Sequence, residues 1–135
     1  MTEQPPRQEE RLTTATHSAA RSTTRQRPAS LGLADVHIHT HYSDGTGSVE
    51  EVLVFAQEQT SLDVLAITDH NTIEGALRAR DLAARGGFRF EVIVGEEIST
   101  REGHMLALFL EQRVPADLSI ERSIELVHAQ GGLAI

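Results

Sequence analysis

Short apolar segments of strand length alternate with segments of helical spacing along most of this chain. The clearest apolar segment is at residues 62–68 (LDVLAIT), which has no polar face, as expected of a parallel strand that is covered on both sides. Three further strands and the start of a fourth are predicted from similar runs. They lie at residues 33–39, 90–94, 104–110 and 133–135.

Three helices are predicted between these strands. The first begins at Ser48, which forms a capping box with Glu51. The second is capped by Asn71 or Thr72, and the third begins at Ser119. The resulting order, β, α, β, α, β, β, α, β, predicts an α/β fold with a mainly parallel sheet that is covered by helices.

The charge of the chain is unevenly distributed. Residues 1–30 contain five Arg and three Glu, are rich in Ser, Thr and Gln, and are predicted to be a disordered tail. A targeting peptide is the alternative, which the three Glu and the missing apolar stripe disfavour. The rest of the chain, residues 31–135, holds 7 basic and 17 acidic residues. Such an acidic domain is a poor general binder of phosphate backbones, so no strong nucleic-acid signal is present.

Composition excludes cysteine-based sites and membrane-spanning helices. The chain has no Cys, which rules out disulfides, cysteine-ligated zinc and a thiol nucleophile. It has no apolar run long enough to span a bilayer, so no membrane partner is predicted. Nothing in the sequence requires an oxidising compartment, and we expect a cytoplasmic location.

Two imidazoles stand two residues apart at the end of the first predicted strand. Side chains at this spacing share one face of a strand, so His37 and His39 can meet at a single ion. Asp44 follows in the next loop and adds a carboxylate. Imidazoles combined with carboxylates suit zinc, manganese or iron better than calcium or magnesium. A metal site is therefore predicted here, and the alternative is a strand end with solvated histidines.

Acids and histidines recur at the ends of the other predicted strands. Asp69 and His70 follow the second strand, Glu96 and Glu97 follow the third, and His104 opens the fourth. Each has an ordinary structural alternative, such as a helix cap or a solvated strand end. In parallel α/β folds, however, ligands gather at the carboxyl ends of the strands. Convergence on one metal pocket explains this recurrence better than independent placement.

Four segments carry motifs in a fixed order. Residues 35–45 follow the pattern D-x-H-x-H-T-x-x-S-D-G, residues 67–72 follow I-T-D-H-x-T, residues 95–99 follow G-x-E-I-S, and residues 103–109 follow G-H-x-L-x-L-F. In this combination they resemble the PHP family, the polymerase and histidinol phosphatase superfamily of metal-dependent phosphoesterases. The resemblance extends over about residues 32–135.

The resemblance implies the N-terminal portion of a distorted (β/α)7 barrel with two or three divalent cations, which would be Zn, Mn or Fe. Its third motif selects Glu97 over Glu96 as the ligand that bridges a first and a second ion. The implied metal ligands are His37, His39, Asp44, His70, Glu97 and His104. The first two would hold the first ion, His104 would bind the second, and Asp44 with His70 would contribute to a third.

The reaction implied by the resemblance is hydrolysis of a phosphate mono- or diester by a metal-bridged hydroxide. The substrate would be a small phosphorylated molecule or a nucleotide. Asp69 and His70 are the implied catalytic residues, Asp69 by orienting an imidazole and His70 by protonating the leaving group. Three alternatives remain open, namely a non-catalytic metal-binding module associated with a DNA polymerase, a histidinol phosphatase, and a nuclease.

The family pattern continues beyond the last residue of this chain. After the Gly-Gly-Leu-Ala strand, family members have a His-Pro motif and later an Asp-x-His motif, whereas this sequence stops at Ile135. We therefore expect residues 31–135 to be a PHP-like domain that is truncated at its carboxyl end. On this expectation the remaining metal ligands lie beyond Ile135.

Overall fold

The structure, a computed structural model, describes residues 31–135. The predicted disordered tail, residues 1–30, lies outside the described residues. The elements in chain order are β1 (Ala34–Ile38), α1 (Val49–Gln59), β2 (Val64–Ile67), α2 (Glu74–Gly86), β3 (Glu91–Ser99), β4 (His104–Leu108), α3 (Ile120–Ala129) and β5 (Leu133–Ala134). This order agrees with the one predicted from the sequence.

The five strands form one curled sheet in the order β1-β2-β3-β4-β5, so the fold is an α/β half-barrel. The first three strands pair in parallel, whereas β3–β4 and β4–β5 pair antiparallel. The expectation of a mainly parallel sheet is therefore wrong for the second half. Only residues 100–103 connect β3 to β4, and a connection that short permits a hairpin but no parallel crossover.

The core lies between the helices and the sheet. Leu65, Ala66 and Ile67 of β2 are all fully buried, which confirms the prediction of a strand covered on both faces. On α2 the buried face consists of small residues, including Ala76 and Ala79, and these allow the helix to lie close to the sheet. In the part of the chain that the structure describes, no helix is long and apolar enough to cross a membrane.

Helix α2 begins later than predicted. Its N-cap is Ile73, which makes no side-chain capping bond, and the hydroxyl of Thr72, one residue earlier, accepts the N–H of Glu74 at 3.2 Å. Asn71 instead adopts a left-handed conformation with φ of 55°. Its side chain bonds Ser99 on β3, with Nδ2 donating to Oγ at 2.9 Å and Oδ1 accepting from the Ser99 N–H at 2.8 Å. Asn71 thus connects two distant segments instead of capping the helix.

Four strand ends meet at one edge of the sheet. The carboxyl ends of β1, β2 and β3 lie at the same edge because these strands are parallel, and β4 starts there because it runs in the opposite direction. We call this edge, formed by residues 37–45, 69–71, 97–99 and 104, the site rim. The predicted metal ligands all belong to these segments.

Candidate metal centre

The Glu97 carboxylate lies at the centre of the site rim, facing four imidazoles. Its Oε2 is 2.9 Å from His37 Nε2, 2.8 Å from His39 Nε2 and 3.6 Å from His70 Nε2. Its Oε1 is 3.3 Å from His104 Nδ1. Five of the six predicted ligands are therefore in mutual contact through one side chain, although β1 and β4 are not adjacent in the sheet.

The contacts around Glu97 fix the direction of its pKa. Burial of the carboxyl opposes ionisation, but the hydrogen bond with His37 and the charges of His70, His37 and His39 together outweigh it. The net effect lowers the pKa of Glu97 below its ordinary value. A carboxylate that stays ionised among imidazoles offers a negative charge and lone pairs at the point where a cation would be bound.

Asp44 is the sixth predicted ligand, and it approaches the cluster from the turn after β1. Its Oδ1 is 2.7 Å from His39 Nδ1, and its Oδ2 is 3.6 Å from His70 Nε2. The hydrogen bond with His39 is the main cause that lowers the pKa of this exposed carboxyl. A bond at His39 Nδ1 leaves Nε2 of the same ring directed at Glu97 with a lone pair for a metal.

The donor set suits transition-metal cations. Three groups of side chains could each hold a metal ion, because within each group the ligand atoms all lie within 4.8 Å of one another. They are His37, His39 and Glu97; His39, Asp44 and His70; and His70, Glu97 and His104. In the first group the two imidazole Nε2 atoms are only 3.1 Å apart, and both also contact the Glu97 oxygen. Such a convergence of nitrogen and oxygen lone pairs is what zinc, manganese or iron would satisfy.

Asp69 belongs to the site rim, but its side chain lies outside the cluster of candidate ligands. It is fully buried, and its carboxylate accepts hydrogen bonds from the Thr40 N–H, the Thr40 hydroxyl and the Ser43 hydroxyl. None of its hydrogen bonds within residues 31–135 involves a histidine. Asp69 therefore does not orient an imidazole by a direct hydrogen bond, because its acceptor oxygens are occupied by the turn after β1.

His70 is held beside Glu97 by the backbone. The two residues form an isolated parallel bridge in which the Asn71 N–H donates to the Glu97 carbonyl at 3.0 Å and the Glu97 N–H donates to the Asp69 carbonyl at 3.2 Å. The Asn71–Ser99 bonds extend this connection by two residues. The sequence interpretation missed Asn71 as part of the site. The available signal was an Asn directly after a histidine, since Asn tolerates the left-handed conformation better than most residues.

The two adjacent glutamates of β3 point to opposite faces of the sheet. Glu97 faces the imidazoles, whereas Glu96 lies opposite Ala107 of β4 and is fully buried. Glu96 Oε2 accepts the Val114 N–H at 2.9 Å, and its Oε1 has no hydrogen-bond partner among the described residues. Arg113 Nε is 4.0 Å from that oxygen. Burial therefore raises the pKa of Glu96 to about 7, against the Val114 hydrogen bond and the Arg113 charge.

We expect Glu96 to make the metal-free chain less stable as the pH rises. The pKa of Glu96 is higher in the folded than in the unfolded chain. Between about pH 4.5 and 7, Glu96 is therefore ionised in the unfolded chain but still protonated in the folded chain, and this favours unfolding. Glu96→Gln removes this pH dependence, because glutamine does not ionise. The free energy of unfolding of the variant minus that of the wild type should rise by on the order of 3 kcal/mol across this window. Urea unfolding in EDTA at pH 5, 6, 7 and 8 measures this difference in the free energy of unfolding. A difference that does not change with pH would contradict the burial argument.

Comparison with known proteins gives a family and a fold. The family model described as PHP domain matches residues 35–131. An uncharacterised protein of Methanocaldococcus jannaschii is 45% identical over 114 residues, covering 76% of this chain and 64% of that protein. A phosphoribosyl 1,2-cyclic phosphate 1,2-diphosphodiesterase of Eggerthella lenta is 37% identical over 90 residues, covering 62% of this chain and 33% of that enzyme.

A solved structure agrees with the fold. It is a two-domain protein from Bacteroides vulgatus that contains a predicted PHP-like metal-dependent phosphoesterase, with a TM-score of 0.64 and 22% identity. The match covers 75% of this chain and 33% of that chain. The chain thus spans about two thirds of the archaeal relative and about a third of the other two proteins. Since the family model covers most of residues 31–135, this chain belongs to the PHP domain family.

Proposed function

We propose that this chain is the metal-binding part of a hydrolase that cleaves phosphate esters. The observation that carries the proposal is the Glu97 carboxylate, which lies 2.8 to 3.6 Å from imidazoles in or just after β1, after β2 and at the start of β4. Family membership and the relative named as a cyclic phosphate diphosphodiesterase support the same reaction class. We also propose that the curled sheet is part of a distorted seven-stranded barrel, and we keep a cytoplasmic location as a prediction.

We assign the metal ligands as the sequence predicted them, to two or three divalent cations of Zn, Mn or Fe. The ligands are His37, His39, Asp44, His70, Glu97 and His104. When bound, such cations lower the pKa of a coordinated water and neutralise charge on phosphoryl oxygens. The protein's own field would otherwise repel an anionic substrate, since residues 31–135 hold 7 basic and 17 acidic residues.

The exposure of the side chains indicates where a substrate would enter. His37 and His104 have side chains that are 48% and 57% exposed, whereas those of His39 and Glu97 are 19% and 10% exposed. The two exposed imidazoles flank the buried carboxylate, so we place the substrate phosphate above Glu97 and between them. In this arrangement the less exposed side chains, those of His39 and Glu97, would orient the other candidate ligands and exclude water from the side opposite the substrate.

His70 has two proposed roles that exclude each other at one atom. A ligand needs the lone pair of Nε2, whereas a proton donor to the leaving group needs a proton there. Nε2 lies 3.6 Å from both Asp44 Oδ2 and Glu97 Oε2, so it faces two acidic ligand candidates. We therefore favour the ligand role for His70, and the leaving group would then take its proton from another donor.

The test of this function is hydrolysis by the full chain with defined metals. The chain is stripped with EDTA, reloaded with Zn²⁺, Mn²⁺ or Fe²⁺, and assayed with p-nitrophenyl phosphate, bis-p-nitrophenyl phosphate, histidinol phosphate and a 5′-phosphorylated RNA. We expect cleavage only with metal, and a loss of at least about 100-fold in His37→Ala, which deletes one predicted ligand. Diester cleavage should exceed monoester cleavage, as the Eggerthella relative indicates.

His41→Ala is the matched control for the hydrolysis test. His41 belongs to the same motif, but it is exposed and lies outside the three ligand groups, so its replacement should leave the rate unchanged. Cleavage that survives both EDTA and His37→Ala would overturn the proposal. Tight metal binding without cleavage of any of the four substrates would instead favour a non-catalytic module.

A further inference from the structure

Among the described residues, the Asp69 side chain makes three hydrogen bonds, all to one turn. Its Oδ1 accepts the Thr40 N–H at 2.6 Å and the Ser43 hydroxyl at 2.7 Å, and its Oδ2 accepts the Thr40 hydroxyl at 2.8 Å. Asp69 and Thr40 are both fully buried. The two Thr40 donors would be left unpaired in the interior without the carboxylate, and such a loss is more costly than the loss of an exposed hydrogen bond.

The turn that Asp69 holds carries a candidate metal ligand. The Thr40 carbonyl accepts the N–H groups of Ser43 and Gly45, both at 3.0 Å, which closes the chain around Asp44. Asp44 itself has a side chain that is 67% exposed, and His39 is its closest ring contact. Its position in the cluster therefore depends on the turn from which it projects, and the turn is fixed to the sheet by Asp69.

Helix α2 presses against the other side of the same carboxylate. Gly75 lies in the first turn of α2, and a Cβ built there would be 2.5 Å from Asp69 Oδ2 and 3.1 Å from Thr40 Oγ1. A glycine at this position therefore lets the helix approach within contact distance of the carboxylate.

We infer that Asp69 is a positioning residue that sets the place of Asp44 and His39 by holding residues 40–45, and that it takes no part in the reaction itself. The inference rests on the proposed function in one respect, because it assigns a purpose to the group formed by His39, Asp44 and His70. The side-chain hydrogen bonds of Asp69 support this role, since they reach the turn and the burial of Asp69 keeps it from a substrate.

Amide hydrogen exchange of the metal-free full chain tests the inference without any metal or activity. In Asp69→Ala, the Thr40 and Gly45 amides should exchange at least about tenfold faster than in the wild type, because the turn opens locally. Asp69→Asn retains one acceptor oxygen for the Thr40 N–H and should restore most of the protection. Ser43→Ala removes only one of the three bonds and should give a smaller increase, which keeps the test decisive if Asp69→Ala does not fold.

Glu96→Ala is the matched control for these variants. Glu96 is also a fully buried carboxylate that directly precedes a candidate ligand, but its hydrogen bond goes to Val114 on the other face of the sheet. Exchange at Thr40 and Gly45 that is unchanged in Asp69→Ala and Ser43→Ala, or that rises equally in Glu96→Ala, would overturn the inference.

Titration with Co²⁺ separates the inference from the proposed function. Asp69→Ala should bind the cation at the His39, Asp44 and His70 group at least about tenfold more weakly, whereas Asp69→Asn, which keeps the bond to the Thr40 N–H, should bind it nearly as the wild type does. A wild-type chain that binds no Co²⁺ would contradict the proposed metal site, while the exchange data would still decide the role of Asp69.

Discussion

Glu97→Gln should remove most of the metal bound by this chain. The carboxylate belongs to two of the three ligand groups, one with His37 and His39 and one with His70 and His104. Gln has nearly the same shape but no charge, so both groups lose their anionic ligand while the packing is retained. We expect the affinity for Zn²⁺ or Mn²⁺ to fall at least about 100-fold.

The measurement is calorimetric titration of the stripped full chain, with metal analysis after dialysis against limiting metal. Glu96→Gln is the control, because it makes the same chemical change one residue away on the opposite face of β3. At pH 6, where the pKa of about 7 keeps most of Glu96 protonated, this control should bind metal as the wild type does. Equal metal binding by Glu97→Gln and the wild type would show that the cluster does not use this carboxylate.

Gly45→Ala is expected to destabilise the turn after β1. A Cβ at residue 45 would lie 2.5 Å from the His39 carbonyl carbon and oxygen and 2.7 Å from the Thr40 nitrogen. These are backbone atoms at the end of β1, so no side chain can move aside and the turn itself must shift. The free energy of unfolding should fall by about 1–3 kcal/mol.

Gly47→Ala is the control for this prediction. Its added Cβ would meet only Val52 Cγ2 at 3.4 Å, which is an ordinary contact, and it should leave the urea midpoint nearly unchanged. Urea unfolding of the three metal-free chains, with the slope held equal, measures the difference. Equal midpoints for Gly45→Ala and Gly47→Ala would mean that the turn relaxes without cost.

The elements that the sequence predicts well are those specified by local pattern. Residues 62–68 contain β2, and the Ser48 capping box is present at the start of α1. The end of β3 was not predicted, because Glu96 and Glu97 interrupt the apolar pattern that residues 90–94 show. The strand continues to Ser99, since one glutamate is buried under the loop at Val114 and the other lies among imidazoles.

The candidate site was predictable as a set of residues but not as an arrangement. Residue type and strand-end position indicated a metal site, and the family motifs selected the six ligand candidates, which the structure brings to one rim. Their roles as ligands stay a prediction. The burial of Asp69 and the Asn71–Ser99 bonds depend on contacts between segments that are 26 to 29 residues apart, and local sequence carries no record of them.

The neighbouring glutamates of β3 have a consequence for strand alignment. If β3 slid by one residue against β2, Glu96 would replace Glu97 in front of the imidazoles, and a carboxylate would still face them. The slide would, however, turn Val92, Val94 and Ile98 away from the helices and expose them. The apolar residues, rather than the acids, therefore decide which of the two glutamates reaches the histidines.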